Sequence, residues 1–391
     1  MRVLIVGGGL GGLCLAQGLA KSGVSVTVYE RDPSPHTRDQ GWRITLKQDG
    51  SRALRDCLPA PLFDLCVATA IRPATRMAFL DHRLTPAFTK PIPAPPADTV
   101  FGVNRLTLRE ILLTGLDVRF GATFARYSHT PDGRVRARFA DGTTAHADLL
   151  VGADGTNSAV RRLLVPDAEL DELGGFVYGR TPITPGLLRE VPEILIDSFN
   201  RLTTPGGTAM SVATCRPLRA PSEAAAAYAP DARLTDVPGY FAWTVAGDEG
   251  RPPGGDGFHR ADGPALHRLA LEAIGGFHPA ARRIVHKADP AATFPVRLRS
   301  ARPVRHWETT NVTLLGDAIH TMSPGRGEGA NVALRDAALL CRAVAAAAAG
   351  APLTETIRRY ETDMLAYGFA AVRASLTQPF APRAARGPAR P

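Results

Sequence analysis

Gly7, Gly9 and Gly12 stand in the spacing G-x-G-x-x-G directly after the apolar run Val3-Leu4-Ile5-Val6. In a dinucleotide-binding turn each glycine has its own task. Gly7 permits the tight turn from strand to helix, Gly9 lets the backbone approach a pyrophosphate, and Gly12 allows close helix–strand packing. Leu13 to Ser22 follows as a helical stretch, and the free N–H groups and dipole at its start favour an anion. Leu15 and Leu19, with Ala16 and Ala20, keep helical spacing up to the stop at Gly23. Val24 to Tyr29 then reads as a second strand ending at Glu30, with Arg31 beside it. A carboxylate at that point accepts hydrogen bonds from ribose hydroxyls. Strand, helix, strand and terminal acid within about 30 residues make a complete βαβ unit. This motif by itself does not choose between FAD and NAD.

Two later segments repeat the pattern of a strand end running into a helix start. Asp148 to Arg161 carries Asp154-Gly155 after the apolar Leu149-Leu150-Val151, and Gly316 to Asn331 carries Gly316-Asp317 after Val312-Thr313-Leu314-Leu315. Between Pro324 and Asn331 the glycines Gly325, Gly327 and Gly329 allow the backbone to lie against a flat ring, and a helix starts near Ala330. The unsatisfied N–H groups of that helix start would stabilise negative charge on a group bound there by roughly 0.3–2 kcal/mol.

These motifs need elements to hold them. Residues 48 to 70 read as helix, Met77 to Phe88 as strands, and Arg105 to Leu116 as a helix. Val135 to Phe139 and Ala145 to Val151 read as strands joined at Asp141-Gly142. From about 170 to 295 short β-like pieces alternate with Pro/Gly-rich loops, and the helical signal is limited to Glu223–Ala229. Long helices are expected from Gly329 to Ala349 and from Thr354 to Thr377, and the tail from Pro379 reads as disordered. The expected organisation is a discontinuous nucleotide-binding domain (1–70, 98–170 and 296–350) with a substrate domain (71–97 and 171–295) inserted. A C-terminal helix (351–378) and the tail (379–391) follow.

In this order the motifs closely resemble those of the flavoprotein aromatic hydroxylases, the para-hydroxybenzoate hydroxylase-like monooxygenases. The resemblance covers about residues 1–350, is weak across the insert, and is similar in layout to the shorter, tetracycline-inactivating members. It implies an α/β fold: a Rossmann-like FAD-binding domain of the GR2 type, a mostly β substrate domain and C-terminal helices. It also implies bound FAD, with NAD(P)H as a transient co-substrate. Gly7, Gly9, Leu10, Gly11, Gly12, Glu30 and Arg31 would then hold the adenylate end. Arg105, in the Arg-x-x-Leu-Arg stretch, would contact FAD phosphate or flavin. Asp154 would serve both FAD and the pyrophosphate of the nicotinamide cofactor, and Gly316 and Asp317 the ribityl chain. Pro324, Gly327, Gly329, Ala330 and Asn331 would lie against the isoalloxazine. Arg43 would touch flavin or nicotinamide, or would be one more surface arginine. His320 follows the family pattern as a structural residue.

The implied reaction inserts one atom of O2 into a phenol-like or polyketide ring through a flavin C4a-hydroperoxide. No nucleophile–His–Asp set or tuned base is visible, as expected where the cofactor carries the chemistry. No second G-x-G-x-x-G exists for NAD(P)H, since Gly250 to Gly257 lacks a strand before it and a helix after it. Phe176, Tyr178, Phe241 and Trp243 are candidate substrate-pocket residues, half of which would be ordinary core. The arginines 297, 299, 302 and 305 read as a solvated strand face or, alternatively, as a cluster that meets an anion. Rival readings on the same scaffold are an epoxidase, a Baeyer–Villiger enzyme, a halogenase, a reductase or a non-catalytic flavin-binding protein. A further rival is an NAD-linked dehydrogenase that uses only the first motif. Isolated Trp42, Trp243 and Trp307 do not form the halogenase Trp-x-Trp motif.

Composition narrows the classes. The 391 residues are 45% hydrophobic and 21% charged, a globular balance. At roughly 150 residues per domain this length suits two to three domains. No apolar run approaches the roughly 18 residues of a membrane span. The chain enters a strand at once, unlike a signal peptide. Five scattered cysteines without a CxxC pair argue against a disulfide framework or a metal site and for a reducing cytoplasm. The net charge is +9, yet four of the 46 basic residues are lysines and the arginines are spread along the chain. That distribution suits anionic small ligands better than nucleic acid. The expected partners are a small aromatic or polyketide-like molecule and O2, with no nucleic acid, no stable membrane association, and a monomer or homodimer.

Overall fold

A computed structural model describes residues 1–377 except 38–42, 95, 97, 198 and 249–250. Trp42, Gly250 and the 379–391 tail lie outside the described residues.

The apolar runs become a five-stranded parallel sheet in the order Val312–Leu314, Leu149–Gly152, Arg2–Val6, Ser25–Glu30, Val118–Phe120. Its central strand is buried on both faces, with Val3 and Ile5 at 0% exposure. That explains why these strands show no polar alternation. The helix Leu10–Lys21 packs against Gly329–Ala348 and Gln48–Cys57. The sequence stretch 48–70 is two helices, Gln48–Cys57 and Ala60–Ala68, because Pro59 cannot continue the first. The expected strand from Ala145 to Val151 divides at Asp148. Thr144–Ala147 pairs antiparallel with Val135–Phe139, and Leu149–Gly152 joins the parallel sheet.

The second layer is a seven-stranded sheet in the order Phe294–Ala301, Leu170–Pro182, Tyr240–Ala246, Ala209–Cys215, Phe199–Thr203, Arg76–Asp81, Pro86–Pro91. One face is closed by helices that the sequence did not announce, among them Gly263–Ala273 and Pro279–His286. Pro264 and Pro279 look like loop signals but occupy the first helical turn, where a missing N–H costs nothing. The C-terminal helix Leu353–Leu376 is pinned to the parallel sheet by Tyr360, whose hydroxyl donates to the Leu314 carbonyl at 2.8 Å. Buried Glu361 on the same helix accepts from Trp307 Nε1, Thr309 Oγ1 and Thr313 Oγ1.

Candidate cofactor cleft

A cleft of about 750 Å³ opens between the two sheets. Gly7, Gly9, Leu10, Glu30, Arg31, Arg105, Asp154 and Asp317 line one side, with Arg180, Pro182 and Tyr240 of the seven-stranded sheet opposite.

The glycine turn has the shape a pyrophosphate needs. Gly7 adopts φ +112°, and a Cβ there would come within 2.3 Å of the Ala153 carbonyl. A Cβ on Gly12 would meet the Gly7 carbonyl at 2.3 Å. Gly9 differs, since a Cβ would find nothing within 4 Å. Its openness is toward the cleft it lines, and no side chain caps the helix that follows. The first N–H groups of that helix are therefore available to an anion. Gly11 packs inward against Leu315 and Ala333. This open cradle, with an uncapped helix start, fits the phosphates of a dinucleotide.

Glu30 is preorganised beside it, accepting from the Gly8 N–H at 2.7 Å and the Asp32 N–H at 2.9 Å. Arg109 crosses over the same region. It donates through Nε to the Gly8 carbonyl (3.0 Å) and through Nη1 to the Pro35 carbonyl (2.9 Å), with Nη2 3.7 Å from Glu30. Arg109 was not singled out from the sequence, although it stands four residues after Arg105 and so on the same helix face. Asn104 caps that helix, its Oδ1 accepting from Leu106 N–H and Thr107 N–H, while its Nδ2 donates to the Tyr240 hydroxyl at 3.0 Å. One residue thus aims Arg105 into the cleft and ties the helix to the second sheet.

Asp154 spends its carboxylate on its own turn, accepting from Ser158 Oγ, Ala159 N–H and Val160 N–H. Buried Arg161 joins this turn to the Asp317 turn by donating to the Thr156 carbonyl at 2.9 Å and the Ala318 carbonyl at 2.8 Å. Asp317 is exposed to the cleft. The protein packed around its carboxyl raises its pKa, against the lowering charges of His320 and Arg105.

Behind this turn lies a network that the sequence did not disclose. The fully buried Asp336 carboxylate accepts from the Gly316 N–H at 2.7 Å, from His320 Nε2 at 2.7 Å and from the Tyr367 hydroxyl at 2.5 Å. Burial opposes charge on His320, but the neighbouring Asp336, with Asp317 beyond it, outweighs burial and raises the imidazole pKa. Gly316 holds φ +63°, ψ −144°, a conformation that favours glycine, so its N–H meets the acceptor and Asp317 is turned toward the cleft.

The 324–331 loop is not part of the cleft lining, although a Cβ on Gly329 would lie 3.9 Å from Asp317 Oδ1. Pro324 and Gly327 bound a single 3-10 turn, and the long helix starts at Gly329, with Ala330 its second residue. Asn331 works within the protein. Its Oδ1 accepts from Lys47 N–H (2.7 Å), and its Nδ2 donates to the carbonyls of Thr45 (3.0 Å) and Gly327 (2.9 Å). Arg43 is held between the layers, donating to the Thr214 carbonyl at 2.9 Å. Arg299 and Arg302 pair with Glu172, Asp171 and Glu169 at the surface.

Asp317→Asn is expected to weaken FAD binding about tenfold, by loss of a charged acceptor. Fluorescence titration with FAD checks this. Unchanged FAD affinity would remove Asp317 from the site.

Comparison with known proteins agrees with this geometry. Residues 5–50 match the NAD(P)-binding Rossmann-like domain model and residues 278–375 the FAD binding domain model. The chain is 31% identical over 376 residues to the FAD-dependent monooxygenase dbaB of Emericella nidulans, covering 89% of this chain and 87% of that protein. It is 34% identical over 382 residues to the dual O-methyltransferase/FAD-dependent monooxygenase elcB of Phaeosphaeria nodorum. That match covers 89% of this chain, which spans only 41% of the longer relative. A crystal structure from Photorhabdus luminescens, assigned as a FAD containing monooxygenase, superposes with a TM-score of 0.81 at 32% identity over 96% of both chains. The protein HpxO of Klebsiella pneumoniae, solved with FAD, shares the fold at a TM-score of 0.74 and 22% identity, covering 96% of this chain and 88% of HpxO. The glycine turn, Glu30 and Asp317 thus meet around one cleft in a chain that belongs to the FAD-dependent monooxygenases.

Proposed function

We propose that the protein is an FAD-dependent monooxygenase that uses NAD(P)H and O2 to insert one oxygen atom into an aromatic or polyketide-like small molecule. The observation that carries this is the convergence of Gly9, Glu30, Arg105 and Asp317 on one cleft facing a second sheet. FAD, when bound, supplies hydride acceptance and oxygen activation. The chain's own residues bind, orient and enclose. The N–H groups after Gly9 take the pyrophosphate, Glu30 accepts from ribose and Arg105 contributes positive charge. Asp317 accepts from the ribityl chain, held in place by Asp336 and Arg161. Tyr240 and Pro182 close the cleft from the second sheet and limit access of water. The 324–331 loop would sit beside the flavin ring, next to Asp317.

We take the working form to be a monomer or homodimer in the cytoplasm, acting without nucleic acid or membrane. All five cysteines are buried and unbridged, and no helix among the described residues is long and apolar enough to cross a membrane. Purified protein should be yellow. It should oxidise NAD(P)H faster with particular members of a phenolic and polyketide panel, giving products heavier by one oxygen drawn from labelled O2. Colourless protein that cannot be reconstituted, or no stimulated oxidation, would overturn the assignment.

A further inference from the structure

Strands Ala209–Cys215 and Tyr240–Ala246 are antiparallel neighbours in the seven-stranded sheet. A hairpin between such neighbours needs only about two to five residues. Residues 216–239 take a much longer route. They leave the second sheet, build the helix Pro221–Tyr228 against Ala60–Ala68, and return as residues 229–239, which contain no helix or strand. Ala224, Ala225 and Ala232 are buried in the core of the five-stranded sheet, and Leu234 packs on it. Thr235 to Gly239 then line the cofactor cleft. The strand that follows turns Phe241 and Trp243 into the helix-covered core, so these two candidates from the sequence stand away from the cleft.

This segment follows the helix Arg105–Leu113 and is fastened at two points. At the helix start, Asn104 Nδ2 donates to the Tyr240 hydroxyl at 3.0 Å. Further along, Thr235 donates from its N–H to Glu110 Oε2 at 2.9 Å and from its hydroxyl to Glu110 Oε1 at 2.7 Å. A helix rises roughly 9 Å from Asn104 to Glu110 at about 1.5 Å per residue, and the stretch from Thr235 to Tyr240 can span that at up to about 3.4 Å per residue. Arg105, at one end of the helix, acts on the charge of Asp317. Arg109, one turn on, donates to the carbonyls of Gly8 and Pro35. Glu110 therefore stands at the end of the cleft lined by Glu30, Pro35 and His36, with His36 Nε2 3.8 Å from its carboxylate. The Glu110 side chain is 5% exposed, and each of its oxygens accepts from Thr235, a residue carried in from the other sheet. Such charge-assisted bonds are stronger than neutral ones. Asp236 fixes the approach by accepting from Ser222 N–H at 2.8 Å and Ser222 Oγ at 2.6 Å. Pro230 and Pro238 restrict the backbone on either side.

We infer that residues 229–239 are a strap that encloses the adenylate end of the bound dinucleotide, and that Glu110 is the positioning residue that holds it there and sets how fast FAD leaves. The inference rests on the monooxygenase reading for the presence of FAD and adds to it the residue that retains the cofactor. Glu110 acts only through Thr235. Its own negative charge opposes a pyrophosphate, so its benefit to FAD comes from the strap.

The test follows exchange of bound FAD for isotopically labelled FAD in the wild type, Glu110→Gln, Thr235→Val and Thr235→Ser. Displacement of FAD by ADP and by FMN, which carry its adenylate and flavin ends, is measured alongside. Glu110→Gln is expected to release FAD about tenfold faster, as for loss of a hydrogen bond to a charged group. The sign is diagnostic, because removing a negative charge near the pyrophosphate would by itself slow release. Thr235→Val loses the hydroxyl but keeps the N–H, and should release FAD at an intermediate rate, while Thr235→Ser restores the wild-type rate. ADP should bind Glu110→Gln about tenfold more weakly and FMN within about twofold of the wild type. Thr235 is exposed, so Thr235→Val keeps the test decisive if Glu110→Gln does not fold. FAD release at or below the wild-type rate in Glu110→Gln, or in Thr235→Val, overturns the inference. So does an equal loss of ADP and FMN affinity, or FAD-loaded wild type that ADP cannot displace. A wild-type chain that never takes up FAD instead overturns the monooxygenase reading beneath it.

Discussion

Asp336→Ala is expected to remove about 3–5 kcal/mol of stability, the usual cost of deleting one partner of a buried charged pair. Three donors lose their acceptor at once: the Gly316 N–H, His320 Nε2 and the Tyr367 hydroxyl. The Gly316 N–H and His320 Nε2 cannot reach water, since Gly316 is buried and Asp336 and His320 are both at 0% exposure, while Tyr367 is part-buried. Tyr367→Phe removes one donor, leaves two, and should cost roughly 1.5–3 kcal/mol. The pH dependence has a fixed sign. The His320 pKa is raised in the folded state, so its contribution is fully present below the unfolded imidazole value and is lost as pH rises through the raised one. Urea unfolding of both variants between pH 6 and 9 tests the assignment. A penalty for Asp336→Ala below about 1 kcal/mol would show that the three bonds contribute little net stability. The variant should also bind FAD more weakly, because Gly316 orients Asp317.

The larger functional effect is expected at Gly9. Gly9→Val should leave the empty protein folded and melting close to wild type, because its Cβ would meet nothing within 4 Å and its φ of −80° suits any L residue. The branched side chain would instead occupy the space the pyrophosphate must enter. Blocking two or more hydrogen bonds to a charged group predicts a loss of FAD affinity of roughly a hundredfold or more. Gly12→Val is the contrast, with its Cβ 2.3 Å from the Gly7 carbonyl, and it should fail to fold. Calorimetric melting with and without FAD separates the two outcomes. Normal FAD affinity in Gly9→Val would place the pyrophosphate elsewhere.

The cofactor end of this protein was legible in one dimension because its parts are neighbours along the chain. The first strand, Gly7 to Gly12, the helix and Glu30 form a local unit, and each residue type answers a local demand of backbone conformation, close approach or charge. Asp317 could be named because a strand end and a helix start flank it. Helices beginning at Pro264 and Pro279 were not legible, since proline punctuates loops and opens helices with the same symbol.

Tertiary structure alone decided the rest. Asp336 lies in the middle of a helix rich in alanine and leucine, and nothing near it in sequence says that it will meet Gly316 and Tyr367. Alternation along Tyr240–Ala246 announces two faces, but which face meets helices and which meets the cleft depends on long-range packing. Likewise Arg201, Ser211, Thr244 and Tyr178 share a row only because four strands pair in that register. Local motifs encode what a residue can bind through its own backbone. The partners of a buried charge, and the neighbours across a sheet, exist only once distant segments have paid the entropy of coming together.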